Sequence, residues 1–203
     1  MMHNIYLAFF LICSLMGVAQ TEFVVADVTE KQLPPDVKFE GTFKTAMQWE
    51  DKLGSNLVVI SESGIYESNG GHKNAAIFAY HFLLGATSKP SWKLHDFEKD
   101  CPVDVEAEFL KDALDVTDLD QDGITEIWMV YKKACRGDVS PSEMKIIMYE
   151  GPKKFAMRGE NKVQLSEKES YGGQYKFDDA FNKAPAFKKF ALKKWTENIL
   201  QKW

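Results

Sequence analysis

From residue 38 to residue 50 hydrophobic and polar positions alternate. Phe39, Gly41, Phe43, Thr45, Met47 and Trp49 fall on one side, with Lys38, Glu40, Thr42, Lys44, Gln48 and Glu50 on the other. Successive side chains of a strand point to opposite faces, so this period predicts a strand with one wet face in an antiparallel sheet. A turn at residues 51–55 leads into a second strand at 57–61, and Asn69-Gly70-Gly71 marks another reversal. Residues 75–84 are apolar on both faces and read as a central strand, with a buried helix as the alternative. Further strands are expected at 92–97, within 104–117 and at 127–131. Segments 145–149 and 154–158 flank Glu150-Gly151-Pro152 as a hairpin.

The period changes at the C-terminus. Phe187, Ala191, Trp195, Ile199 and Trp203 fall four apart, with Leu192 and Leu200 beside them, which predicts an amphipathic helix over 185–203 opened by Pro185. Its other face carries Lys188, Lys189, Lys193 and Lys202, read as solvated, or alternatively as a basic face for an anionic glycan or membrane surface. The fold class is therefore mainly β (α+β): an antiparallel meander sheet with a C-terminal helix packed on it. The chain divides into a signal peptide (1–19), a lead-in segment (20–36) ending at Pro34-Pro35, and one β-rich domain (37–203).

Between the strands at 113–117 and 127–131 stand Asp118, Asp120, Asp122, Gly123, Ile124 and Glu126. Carboxylates at alternate positions of an extended turn share a side and can converge on one ion. Gly123 permits the sharp reversal that offers the Ile124 carbonyl as a further ligand, with Glu126 next. An all-oxygen donor set on a flexible loop favours calcium. An acidic hairpin turn that binds nothing has the same composition. An EF-hand is excluded, because the twelfth position of its loop requires glutamate and is Met129 here. A loop of this kind between two strands resembles the calcium turns of FG-GAP and VCBS repeats over residues 113–131. Those families repeat the motif once per blade, and this chain carries one copy.

Residues 5–16 form an apolar stretch too short to span a bilayer, and Gly17-Val18-Ala19 is a small-x-small cleavage site, so export to the periplasm or beyond is expected after cleavage behind Ala19. Cleavage removes Cys13 and leaves Cys101 and Cys135. Two thiols in an oxidising compartment form a disulfide more often than two separate buried thiols. The net charge of −5 is uneven: residues 176–203 carry +4 and the remainder −9. That acidic body, together with export, argues against a nucleic-acid partner.

Arg136-Gly137-Asp138 spells an integrin-type tripeptide in a candidate surface loop, although turn chemistry explains the glycine and aspartate equally well. Four histidines are scattered, and no HExxH, GxSxG or CxxC spacing occurs, so zinc hydrolysis, a serine elbow and thiol redox chemistry lack support. No catalytic residue is assigned. Glycosidases need only two well-placed carboxylates, which a chain with 30 acids neither displays nor excludes. Five tryptophans are read as core residues. Trp92 and Trp128 are the first candidates for an exposed, sugar-stacking role.

Taken together, the exported start, Trp49-Glu-Asp-Lys-Leu-Gly54, Asp118-Leu-Asp-Gln-Asp-Gly123, Cys135-Arg-Gly-Asp-Val-Ser-Pro141 and Met148-Tyr-Glu-Gly151 resemble a family of small secreted bacterial proteins associated with surface polysaccharide biosynthesis. The resemblance implies an envelope context, with glycan or polysaccharide machinery as the partner, and carries over no catalytic residues. The expected function is a calcium-stabilised accessory or binding protein of the cell envelope. The alternatives are a glycan-active envelope enzyme using a carboxylate pair, and a protein-binding adhesin or inhibitor.

Overall fold

The computed structural model describes residues 23–68, 70–85 and 89–201, so the expected signal peptide lies outside the described residues. Among them, two antiparallel sheets lie face to face. The first is built from β1 (Ala26–Val28), β2 (Thr42–Asp51), β3 (Gly54–Glu62), β4 (Tyr66–Glu67), β5 (Lys73–Leu83) and β6 (Trp92–Cys101). Its order is β1-β2-β3-β5-β6, and the short β4 continues the β3 side of β5. Every residue from 74 to 82 of β5 is buried, which places the doubly apolar run in a central strand, not a helix.

The second sheet contains β7 (Asp104–Thr117), β8 (Glu126–Arg136), β9 (Glu143–Glu150) and β10 (Lys153–Glu160). After β11 (Lys162–Gln164) and β12 (Ser170–Gly172), the chain returns to it with β13 (Tyr175–Phe177), giving the order β7-β8-β9-β10-β13. Helices α1 (Asp179–Asn182) and α2 (Pro185–Asn198) follow, then β14 (Leu200–Gln201), which joins β11 and β12 in a small third sheet.

Between the large sheets Trp49, Val58, Ile60, Ile77, Trp92, Leu94, Phe109, Ile127, Met129 and Ile147 form one core. The outer face of the second sheet carries Trp128, Ile146, Met148 and Phe155, which pack against Phe181, Phe187, Ala191 and Trp195 of the helices. The outer face of the first sheet is closed by the end of the lead-in and the segment after it: Leu33, Val37 and Phe39 cover Leu57, Val59, Phe78 and Phe82. Hydrophobic burial thus accounts for four layers, where the sequence pattern implied one sheet and one helix.

Two expectations are corrected. The wet face expected for β2 does not hold along its length. A register shift between Phe43 and Thr45 sends Phe39 and Phe43 to the outer layer and Met47 and Trp49 into the core between the sheets. The helix expected to 203 ends at Asn198. There the Ile199 carbonyl accepts from the Lys162 N–H (2.6 Å), and Leu200 and Gln201 pair in parallel with β11, whose free edge supplies backbone partners a further helical turn would not use. Trp203 and Lys202 lie outside the described residues. The buried side of α2 also holds Lys194, paired with Asp115 of β7. No described helix is long and apolar enough to cross a membrane.

Candidate metal site

The acidic loop is the turn between β7 and β8. Its backbone is held in shape locally: Gln121 (φ 61°) and Gly123 (φ 83°) adopt the left-handed conformation, the Asp122 N–H donates to Asp120 Oδ1 (3.3 Å) and the Ile124 N–H to Asp122 Oδ1 (2.7 Å). These bonds fold the aspartates inward. Two groups result, each with its donor oxygens within 4.8 Å of one another: Asp118, Asp120 and Glu126, and Asp120, Asp122 and Glu150.

Four of the five residues expected from the sequence therefore meet through their side chains, in two overlapping groups, not one. Ile124 enters through its N–H to Asp122. Glu150 is the residue that sequence reasoning missed. It ends β9 and pairs in register with Glu126 at the start of β8, so the β9–β10 turn brings its carboxylate to the loop.

Glu126 is fully buried at 0% exposure. Its carboxylate accepts from the Thr117 hydroxyl (2.5 Å) and from the Leu119 N–H (3.0 and 3.1 Å). Burial pushes its carboxyl up to about 7 despite those donors, and the charges of Asp120 and Asp118 add to the rise. Burial also raises Glu150, helped by Asp120 and Asp122 and opposed by Lys153. Meanwhile Asp118 Oδ1 is buried with no hydrogen-bond partner among the described residues. A buried, unpartnered carboxylate oxygen inside a cluster of like charges is costly unless a cation meets it. The donor set is entirely oxygen, which fits a hard cation.

The other side of the loop rests on the β2–β3 turn. The Lys52 N–H donates to the Gly123 carbonyl (2.9 Å), and the Lys52 ammonium reaches the Asp122 carbonyl. The left-handed conformation is what asks for glycine at 123, since a Cβ there would meet only the movable end of the Lys52 side chain.

The remaining candidates sit elsewhere. Cys101 and Cys135 are at disulfide distance, with Cα atoms 5.6 Å apart, joining the end of β6 to β8 and so one sheet to the other. Arg136 does not project from its loop: its guanidinium donates to Glu106 (3.1 Å) and to the Ser140 carbonyl, while the exposed Asp138 accepts from the Ser140 N–H (2.9 Å). Trp92 and Trp128 are not surface tryptophans. Trp92 stacks on Tyr149 (4.0 Å between centroids) inside the core, and Trp128, completely buried under α2, donates to the Thr117 hydroxyl (2.8 Å). Each lies on a strand face that another layer covers, Trp92 between the sheets and Trp128 beneath the helices, which their aromatic character alone did not disclose.

Compared with known proteins, the chain matches no family model, no curated protein and no solved structure.

Proposed function

We propose that the protein is an exported, calcium-stabilised β domain that serves the cell envelope as a non-catalytic accessory or binding protein connected with surface polysaccharide. The observation that carries the calcium part is the convergence of Asp118, Asp120 and Glu126 around a buried, unpartnered Asp118 oxygen, with Asp122 and Glu150 alongside. Those five carboxylates would hold the ion. Its chemistry there is charge neutralisation: it would cancel the repulsion that raises Glu126 and Glu150. In doing so it would tie the β7–β8 turn to the β9–β10 hairpin, beside the β2–β3 turn already bonded to the loop, as a cross-link would. The envelope context rests on the signal-like stretch 1–19 and on the resemblance to secreted polysaccharide-associated proteins.

Thermal unfolding of the oxidised protein in calcium and then in excess chelator tests the reading. At a free concentration about a hundred times its dissociation constant, an ion that binds only the folded state adds roughly 2.7 kcal/mol, a rise of about 5–10 °C for a domain of this size. Asp120→Ala, which removes the carboxylate common to both groups, should abolish the rise. A melt indifferent to calcium would sink the proposal. For the accessory role, the producer's own envelope polysaccharide should bind, and a panel of its surface glycans with no binder would refute that part.

A further inference from the structure

The edge strand β6 of the first sheet does not cover the whole second sheet. Its Asp96 reaches Lys145 of β9 (2.6 Å) and its Glu98 reaches Lys133 of β8 (2.9 Å). Beyond that line the inward face of β10 and β13 is open, and it floors a groove of about 1020 Å³ walled by β6 on one side and the 136–141 loop on the other. The volume lies at the upper end of the range for small-ligand sites.

The floor carries an unusual row of charge. Lys145, Arg158 and Lys176 are register partners across β9, β10 and β13 and so share one face. Like charges directly opposite each other destabilise a sheet. Lys145 is neutralised by Asp96 and by Glu143 (3.1 Å). Of the four acids that line the groove, Glu98 and Glu143 pair with Lys133 (2.9 and 3.1 Å), Asp138 accepts from the Ser140 N–H (2.9 Å), and Glu160 is exposed at the end of β10 opposite Glu143. Arg158 and Lys176 have no ion pair or side-chain hydrogen bond among the described residues, although Arg158 is half-buried. A half-buried guanidinium with five donors and no acceptor among the described residues leaves those donors free to meet an anion. Four residues back on the same face, burial and then the Arg158 charge hold the Lys154 ammonium below its usual range, against the pull of Asp96 and Asp178. Gly159 keeps the row tight. A Cβ there would lie 1.9 Å from the Gln174 carbonyl oxygen, so only glycine lets β13 close on β10 and set Lys176 beside Arg158.

We propose that this groove binds an acidic saccharide chain, with a carboxylate of the sugar held between Arg158 and Lys176. The guanidinium fork matches a carboxylate bidentately, and the lysine adds a second charge. The walls suit a sugar: the Gln174 amide and Ser140 supply polar groups for hydroxyls. This inference rests on the glycan-handling reading above and names its ligand class, at a site separate from the acidic loop.

The test is calorimetric titration of the oxidised protein with a galacturonate trisaccharide, its neutral galactose counterpart and a glutamate tripeptide, all in chelator so that calcium bridges nothing. The expected result is binding of the galacturonate alone, weakened by salt and reduced roughly tenfold or more by Arg158→Ala and by Lys176→Glu, with unchanged melting temperatures. Arg158→Lys should restore part of the loss. Absence of galacturonate binding, equal binding of the glutamate peptide, or binding that both variants leave intact would overturn the proposal. The two readings fail separately. A neutral envelope glycan that binds equally well to Lys176→Glu would keep the accessory role and remove this groove from it. Arg158-dependent galacturonate binding without affinity for the producer's polysaccharide would do the reverse.

Discussion

Asp51, the last residue of β2, accepts from both the backbone N–H (3.1 Å) and the hydroxyl (2.8 Å) of Thr125, 74 positions further along the chain. Its other oxygen accepts from the Leu53 N–H (2.7 Å) and the Asn56 amide (2.8 Å). Burial pushes the Asp51 carboxyl up, but the donors from Thr125, Asn56 and Leu53 outweigh it and hold the group below the usual carboxylate range. One side chain thus fixes the β2–β3 turn and ties it to the end of the acidic loop next to Glu126. Asp51→Ala is expected to cost about 3 kcal/mol in urea unfolding, since several donors lose a charged acceptor at once. It should also weaken calcium binding, because the loop loses its support from the first sheet. Unchanged calcium affinity in a folded variant would show that the loop shapes itself.

Glu150 supports a sharper prediction, because its effect should change sign with the ion. Without calcium it is one more negative charge, raised by burial and by Asp120 and Asp122, so Glu150→Gln should stabilise the protein by roughly 0.5–1 kcal/mol in chelator. On the proposal that calcium occupies the site, Glu150 is a ligand, and the same substitution should lower affinity about tenfold. Paired melts in chelator and in calcium read both effects. A variant that shifts in the same direction in both would place Glu150 outside the ion's reach.

The contrast between Asp120 and Glu150 shows what could be read from the chain. Asp118, Asp120, Asp122 and Glu126 were legible because a turn brings near neighbours together, so their spacing alone specifies a shared side. Glu150 became a neighbour only through the registers of β8 on β9 and of β9 on β10, which no local pattern encodes. The same distinction holds for the fold. Strands, the 150–152 hairpin and the start of α2 were visible as periods and breakers. The division into two sheets was not, since a two-residue period says that a strand has two faces but not which sheet covers each. In β2 the bulge near Phe43 even moved the apolar set from one face to the other. The end of α2 was hidden for a related reason: Leu200 continues the apolar stripe, yet the free edge of β11 supplied a better partner for its backbone.

The disulfide spans the sandwich, from the end of β6 to β8, and closes a loop of 34 residues that contains β7 and the whole acidic turn. Chain-entropy arithmetic assigns a bridge of that length about 4 kcal/mol. Replacing both cysteines by serine should therefore lower the melting temperature by roughly 10–15 °C. Treatment of the wild type with reductant should produce the same shift, and leave the double variant unmoved. A reductant effect that persists in the variant would mean that the bridge is not its cause.

His81 gives the protein a pH dependence with a definite sign. It lies in the core between Trp49 and Trp92 (centroids 6.1 and 5.4 Å), and its Nε2 meets Asn56 Oδ1 at 3.0 Å. The Asn56 amide nitrogen is spent on Asp51 and on the Gly54 carbonyl, so its oxygen faces the ring and Nε2–H is the donor. Burial drives the imidazole down to about 4 from 6.5, against the attraction of Asp51. The folded value lies below the unfolded one, so the unfolded chain takes up the proton first. The neutral ring's contribution is complete above about pH 6.5 and is lost as the pH falls toward 4. Between about pH 7.5 and pH 4.5 that loss amounts to about 2.5 kcal/mol. His81→Gln keeps an amide donor for Asn56 and does not titrate, so its own pH dependence should lack this component. Urea unfolding at the two pH values is expected to show the wild-type advantage over the variant shrinking by that amount in acid, while the carboxylates common to both proteins cancel in the difference. An advantage that stays constant would mean that the ring titrates alike in the folded and unfolded protein and that its burial carries no linkage.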